Sequence, residues 1–563
     1  MFRLFGTLIL RPMAVACAVF CLPGGLRCEE SLNREIAILK DAGIERTAKS
    51  LLAAMKLRTP SKHDLEELSA AISQLKDPSF VIRERASGQL AKKGPPAVPL
   101  LRKLLLDRDP DVARRAEICL TTIAQESRPN VTEAIVRVLC RGESPEIVGS
   151  LVEFIPFAED EGVQEEVLIA LAHTGIRCEA DRLTAQVATA DSQPSRRAAS
   201  AVLLSGKGAN RNDVDRALLL LKDRDPTVRL YTALALTLAG REEGIPVLID
   251  LLGEGPARAA IHAEAVLCQA AGKEAPSVTL GNDRAKCFAA WTEWARVRAK
   301  AKAIGPADIG RQAQQLILVA NLDGGCVLAI DENHRERWRC EDLDGPVDVQ
   351  MLASGRLLIA ENHGKRITER TVEGKILWER RTDGLPGSCQ RLSSGNTLIC
   401  TKSSLFELDS TGATLWSNNR LGGLYSARKL RNGQVMALSS EHAIIRCDSS
   451  GRQLAQYSLR AAIQPWSSFS LREDGHFLVA SRSVVNKLDH EGKQIWAHYV
   501  ANCVGATEKT NGNILICDPV DQRIVELDPA GKTLRAYGTK GRPWRIEAVS
   551  DKGLSIELFR PFR

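Results

Sequence analysis

A repeated turn phrase in the second half of the chain most constrains how the chain can fold. The phrase starts at residues 331, 371, 409, 448, 489 and 528, where it reads DENHRERW, TVEGKILW, DSTGATLW, DSSGRQLA, DHEGKQIW and DPAGKTLR. Successive starts differ by 40, 38, 39, 41 and 39 residues. A nearly constant spacing of this size indicates one structural unit repeated six times.

A second phrase accompanies the first in every unit. It reads SGRLLIA, SGNTLIC, NGQVMAL, DGHFLVA, NGNILIC and KGLSIEL, with glycines at 355, 395, 433, 475, 512 and 553. Together the phrases predict four short strands in about 40 residues, which is the period of a β-propeller blade. A further apolar strand, LILVAN at 316–321, predicts that strands from both ends of the chain close a six-bladed ring. Seven blades stay the alternative.

Each residue type of the turn phrase has a physical reason. In DHEGKQIW we expect Asp489 to accept backbone N–H bonds and Gly492 to supply a positive φ. Trp496 leaves the turn and is expected to pack between blades. The phrase therefore indicates a fold and not a binding site.

These repeats resemble those of PQQ-like and NHL-like β-propellers over roughly 315–560, and we assign 313–563 to such a domain. GxxLW after LD is similar to the PQQ-like group, while IAENHGKRI and ICDPVDQRIVELD are similar to NHL repeats. The sequence departs from the pattern at His334, Ala455 and Arg535. The first, fourth and sixth units are therefore expected to be less regular.

The first half of the chain shows helical spacing from about residue 60 to 270, with Asp-Pro turns. Three phrases recur there: DPSFVIRERASGQL at 77–90, DPDVARRAEICL at 109–120 and DPTVRLYTALAL at 225–236. Asp77 and Asp109 are 32 residues apart, as are Pro194 and Pro226, which indicates stacked helical pairs. The aspartates are expected to cap helices that begin with proline.

The phrase resembles the short bacterial type of HEAT repeat, and we assign 61–290 to a HEAT-like α-solenoid. Residues 29–60 are predicted to form a helical lead-in, and 291–312 a helical cap and linker. Arg83, Arg114 and Arg229 are expected to pair with aspartates of neighbouring repeats in a stacking ladder. The fold class is thus multidomain, an α-solenoid followed by a β-propeller that folds separately beyond about residue 305.

The N-terminus reads as a secretory signal ending near residue 28, with Arg3 and Arg11 before a small-residue region. Export to the periplasm or the extracellular space is predicted, and a form lipid-anchored at Cys17 stays an alternative. No later segment has the roughly 18 apolar residues of a transmembrane helix. Fifteen cysteines without a CxxC pair are expected to act as buried apolar side chains.

Charge and motifs exclude several kinds of site. The net charge of +7 is spread along the chain, so we predict no nucleic-acid partner. No zinc spacing, catalytic triad or phosphate-binding loop is present, and we assign no catalytic residue and no metal ligand. We predict no cofactor, neither PQQ nor calcium. Glu361, Asn362, His363 and Asp518 are candidate ligands at the propeller axis.

The predicted function is that of a non-enzymatic binding or scaffold protein. Solenoids and propellers both present large surfaces to protein partners, and the propeller class also serves glycans. The alternative is an enzyme at the propeller axis, of the quinoprotein, calcium lactonase or arylsulfotransferase type. Converging polar side chains in an axial pocket would favour the enzyme, whereas exposed apolar patches would favour the scaffold.

Overall fold

The computed structural model gives the architecture of most of the chain. It describes residues 35–105, 107–126, 130–280, 283–301, 315–331, 335–430, 433–459, 467–471, 476–489, 493–509 and 511–550. The signal segment, Cys17 and the phrase around Gly553 lie outside the described residues. No helix in the described ranges is both long enough and apolar enough to cross a membrane.

Sixteen α-helices lie within the described part of the N-terminal half. They are α1 (35–41), α2 (Ala48–Lys56), α3 (Lys62–Gln74), α4 (Phe80–Lys93), α5 (Val98–Leu104), α6 (Pro110–Glu126), α7 (Val131–Leu139), α8 (Ile147–Phe154), α9 (Glu161–Thr174), α10 (Glu179–Ala188), α11 (Pro194–Ser205), α12 (Arg211–Leu220), α13 (Pro226–Leu238), α14 (Gly244–Glu254), α15 (Ala257–Ala271) and α16 (Arg284–Ala301). Helices α10 and α12 begin 32 residues apart, as do α11 and α13, as the repeat phrase predicts.

The helical half contains two large apolar cores. One core joins α1 and α2 to α7 through α16, and its centre includes Met55, Phe154 and Trp291. The other core is confined to α3 through α6, around Leu90 and Leu101. The chain therefore leaves the main array after α2, forms a four-helix unit, and returns at α7.

The predicted arginine ladder forms in part, since Arg229 donates to the backbone carbonyl of Asp223 at 2.9 Å and Arg114 does not occupy the ladder position. Arg83 Nε lies 3.0 Å from the Asp111 carboxylate of the next repeat. Arg197 donates to both Asp223 oxygens, at 2.7 and 2.9 Å. Arg114 is exposed, and its neighbour Arg115 makes the contact between repeats, pairing with Glu84 of α4 at 3.0 Å and with Asp111 of its own helix. The 3.6-residue helical period places only one of two adjacent arginines on the stacking face.

The C-terminal half is a six-bladed β-propeller of four-stranded antiparallel blades. Its strands are β1 (Gln315–Asn321), β2 (Cys326–Ile330), β3 (Glu336–Cys340), β4 (Pro346–Met351), β5 (Leu357–Glu361), β6 (Arg366–Arg370), β7 (Ile376–Arg381), β8 (Pro386–Arg391), β9 (Thr397–Thr401), β10 (Leu405–Leu408), β11 (Thr414–Asn418), β12 (Leu424–Lys429), β13 (Val435–Ser439), β14 (Ala443–Cys447), β15 (Gln453–Ser458), β16 (Phe469–Leu471), β17 (Phe477–Ser481), β18 (Val484–Leu488), β19 (Gln494–Tyr499), β20 (Gly505–Glu508), β21 (Ile514–Asp518), β22 (Arg523–Leu527), β23 (Thr533–Gly538) and β24 (Pro543–Ser550).

Strands from both ends of the chain close the ring. The last strand, β24, pairs with β1, so blade 1 has the order β24, β1, β2 and β3. Blades 2 to 6 follow in sequence, with β4, β8, β12, β16 and β20 as their innermost strands. LILVAN is therefore the second strand of blade 1 and does not start a seventh blade, which confirms the six-bladed prediction.

The turn phrase has the predicted geometry. The Asp409 carboxylate accepts from the N–H groups of Thr411 and Ala413, at 2.8 and 3.0 Å. Gly412 adopts a φ of 88°, in the region that favours glycine. In the phrase that starts at 489, Asp489 accepts from the Lys493 N–H at 2.8 Å. The phrase closes the hairpin between the two outer strands of a blade.

One face of α15 contacts the propeller. Its contact residues, Ala257, Ile261, Glu264 and Cys268, recur at helical spacing and thus share a face. Ala257 and Ile261 lie against Gly395, in the turn after the innermost strand of blade 3. The other two residues contact Arg356 in the equivalent turn of blade 2, with 2.8 Å between Arg356 Nη1 and Glu264 Oε1.

A buried ion-pair network extends this contact into blade 2. Arg356 also lies 3.5 Å from Glu369 of β6, which accepts a 2.7 Å hydrogen bond from Thr279 of the helical half. Arg391 of blade 3 pairs with the second Glu369 oxygen at 3.1 Å. Glu264, Arg356 and Glu369 are at most 6% exposed. We call these residues, with Cys268, Thr279 and Arg391, the junction network.

Candidate functional site

The innermost strands place two rings of side chains around the propeller axis, one residue per blade in each ring. The strand register aligns the first set, the upper ring: Asp348, Ser388, Ser426, Ser468, Gly505 and Arg545. Two residues further along lies the second set, the lower ring: Gln350, Gln390, Arg428, Ser470, Thr507 and Glu547. All of these residues except Gly505 carry a polar side chain.

Ion pairs between blades surround Asp348 in the upper ring. Arg428 of blade 4 donates to both Asp348 oxygens of blade 2, at 2.8 and 2.9 Å. Arg545 of blade 1 lies 3.2 Å from Asp348 and donates to the Phe469 carbonyl of blade 5 at 2.9 Å. Asp348 and Arg545 are 1% and 3% exposed. These side chains therefore link blades 1, 2, 4 and 5 near the axis.

Burial and charge shape the ionisation of this cluster. Burial would lower the pKa of Arg428, but the adjacent Asp348 carboxylate reverses the effect and raises the pKa above its ordinary value. Burial lowers the pKa of Arg545, and the nearby positive charge of Arg428 adds to the decrease. Both guanidinium groups remain charged at neutral pH because an arginine pKa starts above 12.

Several ring residues hydrogen-bond to both the N–H and the carbonyl of one residue in the next blade, a contact that we call a clasp. Gln350 accepts from the Arg391 N–H at 2.6 Å and donates to the Arg391 carbonyl at 3.2 Å. Gln390 makes the same pair of bonds with Lys429, at 2.7 and 3.3 Å. Ser388 bonds in the same way to the Ala427 N–H and carbonyl. These clasps hold blades 2, 3 and 4 together.

The lower ring differs on the opposite side of the axis. Ser470 Oγ and Glu547 Oε2 are buried and have no hydrogen-bond partner among the described residues. Thr507 lies on the blade between them and is 7% exposed. Burial raises the pKa of Glu547, although Arg545 and Arg428 lower it in part. This half of the ring, from blades 5, 6 and 1, is a polar surface without clasps.

The predicted axial residues lie at the ends of second strands or just beyond them. The Glu361 carboxylate accepts from Thr368, Arg366 and Arg370 at 2.6 to 2.8 Å. Although burial raises its pKa, these bonds bring the pKa of Glu361 below the ordinary value. Asp518 accepts from the Asp521 N–H and Arg523, both at 3.1 Å.

The other two candidates have different surroundings. Asn362 is 5% exposed and donates to the Pro386 carbonyl of blade 3 at 2.8 Å. His363 is exposed and lies over Gly345. Their role in ligand binding, like that of Glu361 and Asp518, stays a prediction.

Glu361 and Asp518 belong to a set that recurs in all six blades. The last residue of each second strand is polar and at most 2% exposed: Asn321, Glu361, Thr401, Ser439, Ser481 and Asp518. In blade 3, Thr401 accepts from the Ser404 N–H at 3.0 Å, and in blade 1, Asn321 accepts from Gly324 at 3.0 Å. The position therefore stabilises the turn that follows the second strand.

The ring residues were not predicted, although the sequence contains a signal for them. PVDVQM, PGSCQR and LYSARK each lie just before the glycine turn and alternate apolar and polar residues. Aligning these segments would have marked one polar pair per blade. The ion pairs between ring residues have no such signal, because they join residues up to 197 positions apart, Asp348 and Arg545.

A second candidate site is an apolar patch on the helical half. Val187 of α10 is 76% exposed, and Leu219 of α12, 32 residues later, is 73% exposed. Leu183, one turn before Val187, is 53% exposed. Gln186 and Asp213 join the two helices with a 3.1 Å hydrogen bond. We call Leu183, Val187 and Leu219 the helical patch.

The next repeat shows what covers this position. Leu251 of α14, 32 residues after Leu219, is 1% exposed. Helix α16 packs there: Arg284 donates to the Leu251 carbonyl at 3.0 Å, and Phe288 lies against Gly253. The same repeat position is thus covered by α16 at Leu251 and exposed to solvent at Val187 and Leu219, in the two preceding repeats.

The described residues provide no group of three or more His, Cys, Asp or Glu side chains suited to a metal ion. Eleven of the twelve described cysteines are buried, as predicted for small apolar side chains. Burial raises the pKa of Cys268 to about 12, so this thiol stays protonated at neutral pH.

Comparisons with known proteins found low similarity to several solved structures. No protein-family model matches the chain, and no curated protein matches it either. A crystal structure of a protein of unknown function from Bacteroides caccae is 17% identical, with 42% of this chain and 99% of that chain covered and a TM-score of 0.36. The WD40 β-propeller domain of Doa1 is 11% identical over 43% of this chain and 92% of that chain, with a TM-score of 0.34.

Virginiamycin B lyase from Staphylococcus aureus is a third similar structure. It is 14% identical, with 41% of this chain and 78% of that chain covered and a TM-score of 0.30. At such identities and TM-scores these similarities carry no argument about activity.

Proposed function

We propose that the protein is a non-enzymatic scaffold that binds a protein partner through the helical patch. The exposed apolar side chains of Val187 and Leu219 carry this proposal. Isolated apolar side chains on a surface are common, but two at one repeat position, on helices joined by a hydrogen bond, form a surface that a partner can cover. The covered equivalent, Leu251, indicates the occupant: an amphipathic helix of the partner that docks as α16 docks on α14.

The propeller fits a supporting role in this scaffold. Ion pairs among Asp348, Arg428 and Arg545 link its blades near the axis, and the junction network connects it to the helical half. This connection allows a second surface, on the propeller, to act together with the first. The signal-like N-terminus supports export, and the proposed partner is then an exported protein or a glycoprotein.

The test is capture of the partner by full-length protein from its own host, with matched surface variants. Val187→Glu combined with Leu219→Glu places charge in the helical patch. Leu415→Glu is the control, because Leu415 is 53% exposed on β11, far along the chain from the patch. We expect the double variant to lose the partner and the control to retain it.

Two other outcomes would contradict this proposal, and the second of them would favour the predicted alternative, an enzyme at the axis. If both variants retain the partner, the helical patch is not the binding surface. If the protein instead carries a bound quinone or calcium, or turns over a substrate in a manner abolished by Arg428→Ala, the scaffold proposal is wrong.

A further inference from the structure

The four-helix unit, α3 through α6, is connected to the main helical array by two chain segments. Helix α2 ends at Lys56 and belongs to the main core, whereas α3 begins at Lys62 and belongs to the core of the unit. The chain rejoins the main core at α7, which begins at Val131. The two cores have no residue in common. A movement of the unit relative to the array is therefore centred next to α2 and α7.

A chain of hydrogen bonds joins these two connections to the loop between α8 and α9. Arg58, just after α2, donates from Nε to Thr132 Oγ1 at 3.0 Å. Thr132, in the first turn of α7, is 6% exposed and donates in turn to Glu159 Oε1 at 2.6 Å. Both connections of the unit thus meet at Glu159. We call Arg58, Thr132 and Glu159 the neck contact.

An ion pair between the unit and the same loop is weaker. Arg102 of α5 has its Nη2 atom 3.9 Å from a carboxylate oxygen of Asp160, and both side chains are partly exposed. A long ion pair that water reaches contributes little to stability. The neck contact is therefore the stronger of these two links between the unit and the array.

The carboxyl group of Glu159 is poorly suited to carry a charge where it lies. Its Oε2 atom is buried and has no hydrogen-bond partner among the described residues. Burial raises the pKa of Glu159 to about 7, the bond from Thr132 lowers it in part, and the nearby Glu133 of α7 adds a smaller increase. Arg58 is the facing cation, and Glu133 and Glu159 share it. Ionisation of Glu159 thus places a second acidic charge against one guanidinium group in a partly dehydrated site, which is costly.

We propose that Glu159 is a protonation switch for the attachment of the four-helix unit. The neutral carboxyl group keeps the neck contact closed, and the carboxylate opens it because the charge is then hydrated. The unit moves as one body, since its core around Leu90 and Leu101 contains no residue of the neck contact. The switch is separate from the helical patch, so either can exist without the other.

The direction of the pH dependence follows from linkage. In the open form Glu159 is hydrated and titrates near pH 4.3, as an ordinary glutamate does. Below that pH both forms hold the proton, and the closed form is fully favoured. Between about pH 4.3 and 7 only the closed form holds it, so the open form gains about tenfold for each pH unit. Above pH 7 both forms are ionised and the ratio stays constant.

The test is hydrogen exchange of full-length protein from pH 5 to 8, with rates corrected for the intrinsic pH dependence of exchange. Amide protection reports the equilibrium constant of local opening, even when the open form is rare. Peptides that cover residues 55–61 and 131–136 report the neck contact, and peptides that cover 86–101 report the core of the unit. Glu159→Gln removes the titration, and Glu153→Gln, at an exposed residue of α8, is the matched control.

We expect the opening constant of the neck peptides to rise about tenfold from pH 5 to 6 and to level off above pH 7. Glu159→Gln should show no rise, the control should follow the wild type, and residues 86–101 should stay protected throughout.

Thr132→Val decides the test if Glu159→Gln does not fold. Loss of the bond from Thr132 raises the pKa of Glu159 further, so the rise should continue above pH 7 in this variant. The proposal fails if the wild-type opening constant does not change between pH 5 and 7, or if Glu159→Gln keeps the rise. It also fails if residues 86–101 lose protection together with the neck peptides.

Discussion

At the scale of residues, one ion pair recurs between neighbouring blades. Glu369 of blade 2 pairs with Arg391 of blade 3, and Glu407 of blade 3 pairs with Lys429 of blade 4 at 2.6 Å. Between blades 5 and 6 the signs are exchanged, with Lys487 lying 3.2 Å from Glu508. The two positions are the same in each blade pair, but the acidic and basic residues are exchanged. An attraction between opposite charges is therefore common to all three pairs.

Glu407 allows this pair to be tested. It is 3% exposed and also accepts from Asn396 and the Trp416 indole, at 2.7 and 3.0 Å. Glu407→Ala leaves three partly buried donors without this acceptor, and we expect the free energy of unfolding to fall by about 3 kcal/mol. Urea unfolding followed by circular dichroism measures this free energy of unfolding. A loss under about 1 kcal/mol, as for an exposed ion pair, would contradict this role.

Glu526 of blade 6 makes the stability depend on acid pH. Burial would raise its pKa, but hydrogen bonds from Asn513, Lys509 and Arg535 lower the pKa to about 2. An unfolded glutamate titrates near pH 4.3, so this contribution is complete above that value and is lost as pH falls towards 2. We expect Glu526→Gln to flatten the decline in unfolding free energy over this range. An unchanged slope would contradict the assignment.

Glu159, between α8 and α9, has the opposite dependence. Burial raises its pKa to about 7, while a hydrogen bond from Thr132 lowers it in part. A raised carboxyl pKa stabilises the fold below pH 4.3 and loses that contribution as pH rises through 7. Glu159→Gln should therefore be more stable than wild type at pH 8, by an amount on the order of 2 kcal/mol. Equal unfolding free energies at pH 8 would contradict this.

At the scale of elements, the sequence was a good guide wherever local chemistry determines the geometry. The aspartate and glycine of the turn phrase predict each outer hairpin, and Asp225 caps α13 by accepting from Thr227 at 2.8 Å. The ladder needed two corrections: Arg115 replaces Arg114, because only the helical face separates these neighbours, and Arg229 bonds to a backbone carbonyl. Boundaries were less accurate: α16 begins at Arg284, before the predicted cap at 291.

The candidate site was less predictable than the fold. Glu361 and Asp518 stand out in sequence as acidic residues at strand ends, but their equivalents Asn321, Thr401 and Ser439 differ in type. Because these residue types differ, comparing the six repeats in sequence does not show that all of them occupy the last position of a second strand. The lower ring was missed for a related reason, since Gln350 and Glu547 differ in charge and only the strand register aligns them.

At the scale of the whole molecule, contacts between distant segments shape the architecture. Helices α1 and α2 pack on α7 and α8, as in the ion pair between Glu35 and Arg137 at 3.3 Å, while α3 through α6 keep their own core. The repeat phrase occurs inside the four-helix unit at Asp77 and Asp109 and again in the main array at Asp225, so the phrase does not reveal which core a helix joins. The junction network is likewise invisible in sequence, because its residues belong to two different repeat types.

Arg356 tests the junction. It is 5% exposed and lies between Glu264 and Glu369, so Arg356→Ala leaves two buried carboxylates without their shared cation. We expect wild type to unfold with the two halves coupled, and the variant to show separate helical and propeller transitions, with a loss of about 3 kcal/mol. Differential scanning calorimetry measures both. Separate transitions already in the wild type would show that the halves are independent, as the sequence predicted.

The most direct test of the central claim is hydrogen exchange of the full-length protein, free and in the complex purified from its host. If a partner helix covers the helical patch, peptides spanning residues 179–220 should exchange more slowly in the complex, while the inner strands of the propeller stay unchanged. Protection confined to the inner strands, with α10 and α12 exchanging as in the free protein, would contradict the account.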